Sequence, residues 1–143
     1  MKVFLASDHG GFSLKKSLKP WLIAGGIEVI DGGTNSEEMV NSSVFARVGA
    51  EAVLSKEVDR AILICGTGIA MSMQANRFKG IRAAVVGSST TFARLCREHN
   101  DANVLCLAGR FCGFRKAKKI VKLFLETECL GGRYETRNKM LDE

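Results

Sequence analysis

The chain has 143 residues, of which 46% are hydrophobic and 25% charged, and its formal net charge is +6. This length and composition are typical of one soluble domain that can bury a core. No apolar run has the length of a membrane span or of a secretory signal core, so we expect no membrane partner.

The five cysteines are odd in number and form no C-x-x-C pair, which argues against a disulfide framework or a zinc knuckle. His9 and His99 are the only histidines, and no acidic cluster accompanies them. We therefore predict no metal site. Free thiols suit a reducing compartment, and we expect a cytoplasmic protein.

Short apolar runs alternate with segments of helical periodicity along the chain. In chain order we predict strands and helices in turn over residues 2–6, 12–24, 27–30, 44–54, 60–64, 69–78, 82–86, 90–99, 103–107 and 113–127. This alternation predicts an α/β fold, a single-domain Rossmann-like three-layer arrangement with helices on both faces of a five-stranded parallel sheet. The expected strand order is 2-1-3-4-5. Residues 1–143 form one domain, with 128–143 a polar C-terminal tail.

Much of the positive charge lies in the last predicted helix, at Arg115, Lys116, Lys118, Lys119 and Lys122. The apolar residues of that helix follow helical spacing, which leaves the cations on the opposite, solvated face. No nucleic-acid-binding motif accompanies them, so we predict no nucleic-acid partner. The surplus charge favours attraction of a small anionic substrate.

The third predicted strand ends on Cys65, and Gly66-Thr67-Gly68 then leads into a helix. That order places a thiol beside free backbone N–H groups, where negative charge is favoured. Such a sulfur can act as a base or a nucleophile next to a bound oxyanion. A buried structural cysteine followed by a tight glycine turn is the alternative, and the pattern alone leaves both open.

In open α/β sheets, ligands bind beyond the carboxyl ends of the strands, where the strand order reverses. For the expected order this point lies between strands one and three. The polar, glycine-bearing segments 7–11 and 65–68 therefore converge on one crevice. The glycine fingerprint of dinucleotide-binding proteins and the P-loop of nucleotide-binding proteins are both missing.

Four separated blocks carry a family resemblance. They are Asp8-His9-Gly10-Gly11-Phe12, Cys65-Gly66-Thr67-Gly68-Ile69, Arg97-Glu98-His99-Asn100-Asp101, and Gly131-Gly132-Arg133 with Arg137. In this order they resemble type B ribose-5-phosphate isomerases and galactose-6-phosphate isomerase subunits, over about residues 1–137. The resemblance implies a cofactor-free aldose–ketose isomerase of sugar phosphates, first of all of ribose 5-phosphate. It also implies a homodimer or homotetramer with active sites shared between subunits.

The same resemblance implies a role for each candidate residue. Cys65 is the base that moves a proton between two sugar carbons through a cis-enediolate, and Thr67 and His99 assist ring opening. The substrate-binding residues include the enediolate-binding loop Gly66, Gly68, Ile69 and Ala70, and Asp8 and Asn100 for the sugar hydroxyls. His9, Arg110, Arg133 and Arg137 are the phosphate ligands, since a guanidinium meets phosphate oxygens bidentately.

Three departures from the family pattern leave the substrate open. Asn41-Ser42-Ser43 replaces a usual Asp-Tyr-Pro triplet, Ala70 a usual glycine, and Tyr134 a usual histidine. Three functions therefore stay open. The chain is a pentose-phosphate isomerase, an isomerase of another aldose phosphate such as a hexose 6-phosphate, or a catalytically weak sugar-phosphate-binding homologue. Retention of the three catalytic candidates argues against the last.

Overall fold

A computed structural model describes all 143 residues, and its secondary structure follows the predicted alternation of strands and helices. The elements are β1 Lys2–Ser7, α1 Phe12–Ala24, β2 Glu28–Asp31, α2 Ser42–Leu54, β3 Arg60–Cys65, α3 Ile69–Ala75, β4 Ala83–Val85, α4 Thr90–Glu98, β5 Val104–Ala108, α5 Phe114–Glu126 and α6 Arg133–Leu141. All five predicted strands and five predicted helices are present. No helix is both long enough and apolar enough to cross a membrane.

The five strands form one parallel sheet in the order β2-β1-β3-β5-β4. The predicted order 2-1-3-4-5 was therefore wrong for the last two strands, which are exchanged. Every residue of β5 is buried, whereas β4 has three residues and its Val85 is 39% exposed. The longer apolar strand gains more by lying between two neighbours, and the short strand occupies the edge.

Two helical layers cover the sheet, as predicted. Helices α1, α4 and α5 pack on one face, and α2 and α3 pack on the other. The amphipathic pattern of α5 is confirmed, because its buried positions are Ala117, Ile120, Val121, Phe124 and Leu125. Its lysines and arginine are directed away from this stripe. Two separate apolar cores therefore fix the sheet between the layers.

Helix α6 was not predicted, since residues 128–143 were expected to form a polar tail. Only Asn138 of this helix is buried, so it has no apolar stripe that a sequence pattern could reveal. Polar contacts dock it instead. Asn138 Nδ2 donates to the His99 carbonyl at 3.0 Å, and Arg82 Nη1 lies 2.6 Å from a carboxylate oxygen of Asp142.

Candidate active site

Three loops meet at the carboxyl edge of the sheet. The register sets Ser7 opposite Ile64 in β1 and β3, and Cys65 opposite Ala108 in β3 and β5. The predicted convergence of segments 7–11 and 65–68 is thereby confirmed. Because β5 and not β4 adjoins β3, the loop after β5 joins them, and it carries Arg110.

Backbone contacts tie the three loops together. The N–H of Asp8 donates to the Ile64 carbonyl at 3.0 Å, and the N–H of Gly109 donates to the Cys65 carbonyl at 2.7 Å. A side chain at Gly109 would put its Cβ 2.5 Å from the carbonyl oxygen of Gly10, so this position needs glycine for close approach. The loops therefore form one rigid platform.

Cys65 lies at the end of β3 and is 4% exposed. Its Sγ accepts a hydrogen bond from the N–H of Gly68 at 3.1 Å. Gly68 has a φ of +80°, a left-handed conformation that turns this N–H back toward the sulfur. The orientation of the thiol is thus set by the loop that follows it.

In the loop after the thiol, the N–H groups of Gly66, Thr67 and Ala70 have no acceptor within the chain, and the same holds for the next residue, Met71. The Thr67 hydroxyl accepts from the N–H of Ile69 at 3.2 Å and is exposed at the mouth of the loop. Unpaired amides are strong donors that require a partner, which here can be an oxyanion. The loop combines a thiol with donors for developing negative charge.

Cys96 and Cys106 are poor candidates for a catalytic thiol. Burial raises the pKa of Cys96 to about 11. Burial, together with the nearby Cys65, raises the pKa of the fully buried Cys106. These two thiols are therefore neutral at physiological pH, and neutral thiols are poor bases and nucleophiles.

Asp8 and His9 extend the site along the β1 loop. Asp8 is 8% exposed, and its Oδ1 accepts from the N–H of Gly11 at 3.1 Å. His9 Nδ1 accepts from the N–H of Val40 at 3.2 Å. With Nδ1 used as an acceptor, the ring proton is on Nε2, which is left as a donor. His9 thereby links the site to the segment before Asn41-Ser42-Ser43.

A buried ion pair supports this loop from below. Lys15 Nζ lies 2.5 Å from Asp31 Oδ1, and Lys19 Nζ lies 2.9 Å from Asp31 Oδ2. Partial burial opposes ionisation of Asp31, but hydrogen bonds from Lys15, Gly33 and Lys19 outweigh it and lower its pKa. The Gly33 carbonyl in turn accepts from the N–H of Ser7 at 2.8 Å. The pair therefore anchors the strand end that carries Asp8.

Arg110 lies close to the Cys65 loop. Its N–H donates to the Gly66 carbonyl at 3.2 Å, and its guanidinium reaches over Gly66, since a Cβ there would lie 3.2 Å from Nη1. Both residues thus belong to the same edge. Among the predicted phosphate ligands, Arg110 and His9 are the two that lie near the thiol.

The remaining candidates lie at the opposite edge of the sheet: His99, Asn100, Arg133 and Arg137. The first two follow α4, before β5 begins, and the arginines lie on α6. Five-residue β5 separates its ends by about 13 Å, and Cys65 pairs with its far end at Ala108. Within one chain these four residues therefore do not reach Cys65.

Tyr134 makes contacts that the sequence did not predict; in the sequence it stands out only because it departs from the family pattern. Its ring stacks on the His99 imidazole, with centroids 4.4 Å apart and planes 6° from parallel. The Arg133 guanidinium lies 5.1 Å from the same ring centroid. No periodic pattern reveals this stack, because its partners are 35 residues apart and meet only when α6 docks.

Thr67, Ile69 and Ala70, which follow the buried Cys65, are exposed to solvent in a single chain. A cavity of about 580 Å³ lies at the amino edge and is lined by Arg60, Arg82, Arg97 and Asp101, among others. It does not include Cys65. No three His, Cys, Asp or Glu side chains converge as metal ligands. Small-ligand sites usually enclose most of the ligand.

Comparisons with known proteins agree over nearly the whole chain. A family model described as Ribose/Galactose Isomerase matches residues 3–141. Ribose-5-phosphate isomerase B of Escherichia coli is 46% identical over 136 residues, covering 95% of this chain and 91% of that protein. The structure of Clostridium thermocellum ribose-5-phosphate isomerase B has a TM-score of 0.97 at 46% identity, covering 99% and 95% of the two chains. That of the Mycoplasma genitalium enzyme with bound ribulose-5-phosphate has a TM-score of 0.93 at 39% identity, covering 99% and 93%.

Proposed function

The chain belongs to the ribose/galactose isomerase family, and we propose that it is an aldose–ketose isomerase of phosphorylated sugars. Its substrate pair is ribose 5-phosphate and ribulose 5-phosphate. The names of its similar relatives support this choice, as does the bound ribulose-5-phosphate in one of them. The observation that carries the proposal is the Cys65 thiol among unpaired N–H groups.

Cys65 acts as the base in its thiolate form. It removes the proton from C2 of the open-chain aldose, which leaves a cis-enediolate. The hydroxyl proton moves from O2 to O1, and the Cys65 thiol returns its proton to C1. The C2 carbonyl of the ketose results. No electrons leave the substrate, so the reaction balances without a cofactor.

The unpaired amides of Gly66, Thr67 and Ala70 stabilise the enediolate oxygen, with Gly68 and Ile69 completing the loop. Preorganised donors act where charge develops and need no reorganisation during the reaction. Loss of one such donor typically costs about 10²–10³ in rate. Ala70 has a methyl group where the family usually has a glycine, but it keeps its backbone N–H.

The other groups bind and open the sugar. Thr67 and His99 move the protons of ring opening, and Asp8 and Asn100 hold hydroxyl groups. The phosphate is held by His9, Arg110, Arg133 and Arg137. The net charge of +6 supports attraction of such a dianion.

We infer that two copies of the chain build each site. Cys65 and His99 lie at opposite edges of one chain, so both can serve one substrate only if His99 comes from a second copy. Ile69 and Met73, next to the Cys65 loop, are 49% and 66% exposed and offer apolar surface for that copy. A C2 homodimer supplies two equivalent sites, and a homotetramer is a pair of such dimers.

We also propose that the enzyme works in the cytoplasm, in pentose phosphate metabolism. All five cysteines are free, and four of them are buried. Free thiols, including a catalytic one, persist in a reducing compartment.

A hexose 6-phosphate is the second candidate substrate. Asn41-Ser42-Ser43 places small side chains after the segment that His9 holds through Val40. Small side chains at these three positions would leave room for a longer sugar. The family description also includes galactose isomerases.

A coupled isomerase assay over pentose 5-phosphates and hexose 6-phosphates tests the proposal. We expect the highest kcat/KM for ribose 5-phosphate. A preference for a hexose phosphate would select the second candidate. Binding of phosphate esters without turnover of any sugar would contradict an isomerase and leave a sugar-phosphate-binding protein.

A further inference from the structure

Helix α6 holds His99 at two points. Asn138 Nδ2 donates to the His99 carbonyl at 3.0 Å, which fixes the backbone. Tyr134, one helical turn earlier, stacks on the imidazole with a centroid distance of 4.4 Å and planes 6° from parallel. Residues four apart lie on one face of a helix, so one face of α6 sets both the position and the ring plane of His99.

Tyr134 also contacts Arg133. The guanidinium lies 5.1 Å from the tyrosine ring centroid, and its Nη2 donates to Tyr134 Oη at 3.2 Å. The bond to Oη raises the pKa of Arg133, so the hydroxyl favours the cation. Arg133 is otherwise a solvent-exposed side chain with no carboxylate partner. Its orientation therefore depends on Tyr134.

We infer that Tyr134 is a positioning residue that holds the His99 imidazole and the Arg133 guanidinium in one unit. The inference rests on the proposed function, in which His99 opens the sugar ring and Arg133 binds phosphate. A phosphate that engages Arg133 then finds the imidazole already oriented toward the ring oxygen. The ring of Tyr134 serves the ring-opening step, and its hydroxyl serves phosphate binding.

Two substitutions separate these roles. Tyr134→Phe keeps the stack and removes the bond to Arg133, so we expect KM for the sugar phosphate to rise about threefold to tenfold with kcat within twofold. Tyr134→Leu removes both, and we expect kcat from the cyclic aldose phosphate to fall about tenfold or more. The rate from the open-chain ketose phosphate should stay within about threefold. Glu135→Gln, an exposed change on the same helix, is the control and should leave both directions unchanged.

A spectroscopic readout tests the stack without turnover. The chain has only two histidines, and His9 takes part in no ring stack, so labelled histidine gives two imidazole signals with an internal reference. His99 signals, assigned by their loss in His99→Asn, should be displaced upfield in the wild type and in Tyr134→Phe. They should return toward unstacked values in Tyr134→Leu, while the His9 signals stay in place.

Three results would overturn the inference: unchanged His99 signals in Tyr134→Leu, equal kinetic losses in both directions, or an unchanged KM in Tyr134→Phe. If Tyr134→Leu undocks α6, Tyr134→Phe still tests the inference, because this variant must keep the stack on His99 and raise KM. A wild-type protein without isomerase activity would instead remove the proposed function, and the histidine spectra would still show whether Tyr134 orients His99.

Discussion

Cys65 differs from the buried thiols of Cys96 and Cys106 in having an N–H donor aimed at its sulfur and unpaired amides around it. If it is the base, Cys65→Ala should lower kcat at least about 100-fold, the contribution typical of general-base catalysis. Exchange of solvent hydrogen into the substrate should stop as well, while sugar-phosphate binding persists.

Cys96→Ala is the matched control, since burial raises the pKa of that thiol to about 11 and it cannot act as a base at neutral pH. We expect it to retain kcat. A Cys65→Ala enzyme that keeps more than about a tenth of the wild-type kcat would exclude the proton-transfer role.

His99 is proposed to assist ring opening, and its own substitution can isolate that step. If His99 carries the proton of ring opening, His99→Asn should strongly lower turnover of a cyclic aldose phosphate. Turnover that starts from open-chain ribulose 5-phosphate should be largely spared. Single-turnover rates in the two directions provide the measurement, and equal losses would assign His99 to proton transfer or to the fold.

Elements are held in place by polar anchors as well as by the two cores, and the Lys15–Asp31 pair between α1 and β2 is the most buried of them. Asp31→Asn removes the charge that balances Lys15, whose side chain is 3% exposed. We expect a loss of about 3–5 kcal/mol in the free energy of unfolding, the usual result of breaking a buried pair. Urea unfolding measures it.

The same pair predicts a pH dependence. The pKa of Asp31 lies below its ordinary value of 3.8, so its contribution is fully present above that pH and is lost as pH falls through the lowered pKa. The difference between wild type and Asp31→Asn should therefore shrink below about pH 4. Glu28→Gln, in a surface pair with Lys2, should change stability by less than about 0.5 kcal/mol. A gap between wild type and Asp31→Asn that stays constant with pH would contradict this account.

The sequence predicts most of the strands and helices. It does not predict the exchange of β4 and β5 or the presence of helix α6. Alternating apolar runs are local signals, so strands, helices and the loop convergence at Cys65 follow from them. The exchange of β4 and β5 depends on competition between two apolar strands for the sheet interior, which no local pattern contains. Helix α6 is missed for a similar reason, because its anchors Asn138 and Tyr134 find partners only in the folded chain.

At the scale of the whole molecule, the candidate residues divide between two edges of one sheet. Cys65, Thr67, Asp8, His9 and Arg110 lie at the carboxyl edge, and the His99 and α6 group lies at the amino edge. In a parallel sheet, loops that follow strands and loops that follow helices lie at opposite edges, so the predicted alternation of elements is compatible with this division. The placement of Arg133 and Arg137 beside His99 was not predictable, because it depends on the docking of α6. If the site is shared as proposed, each chain contributes one part to each of two sites.

Subunit complementation tests this account most directly. Cys65→Ala and Arg137→Ala chains, each nearly inactive at low substrate concentration, are mixed and allowed to exchange. In a C2 dimer each mixed pair has one site with both lesions and one intact site, so random exchange should restore about a quarter of the wild-type activity. Activity that stays at the level of the separate variants after verified exchange would contradict a site shared between two copies.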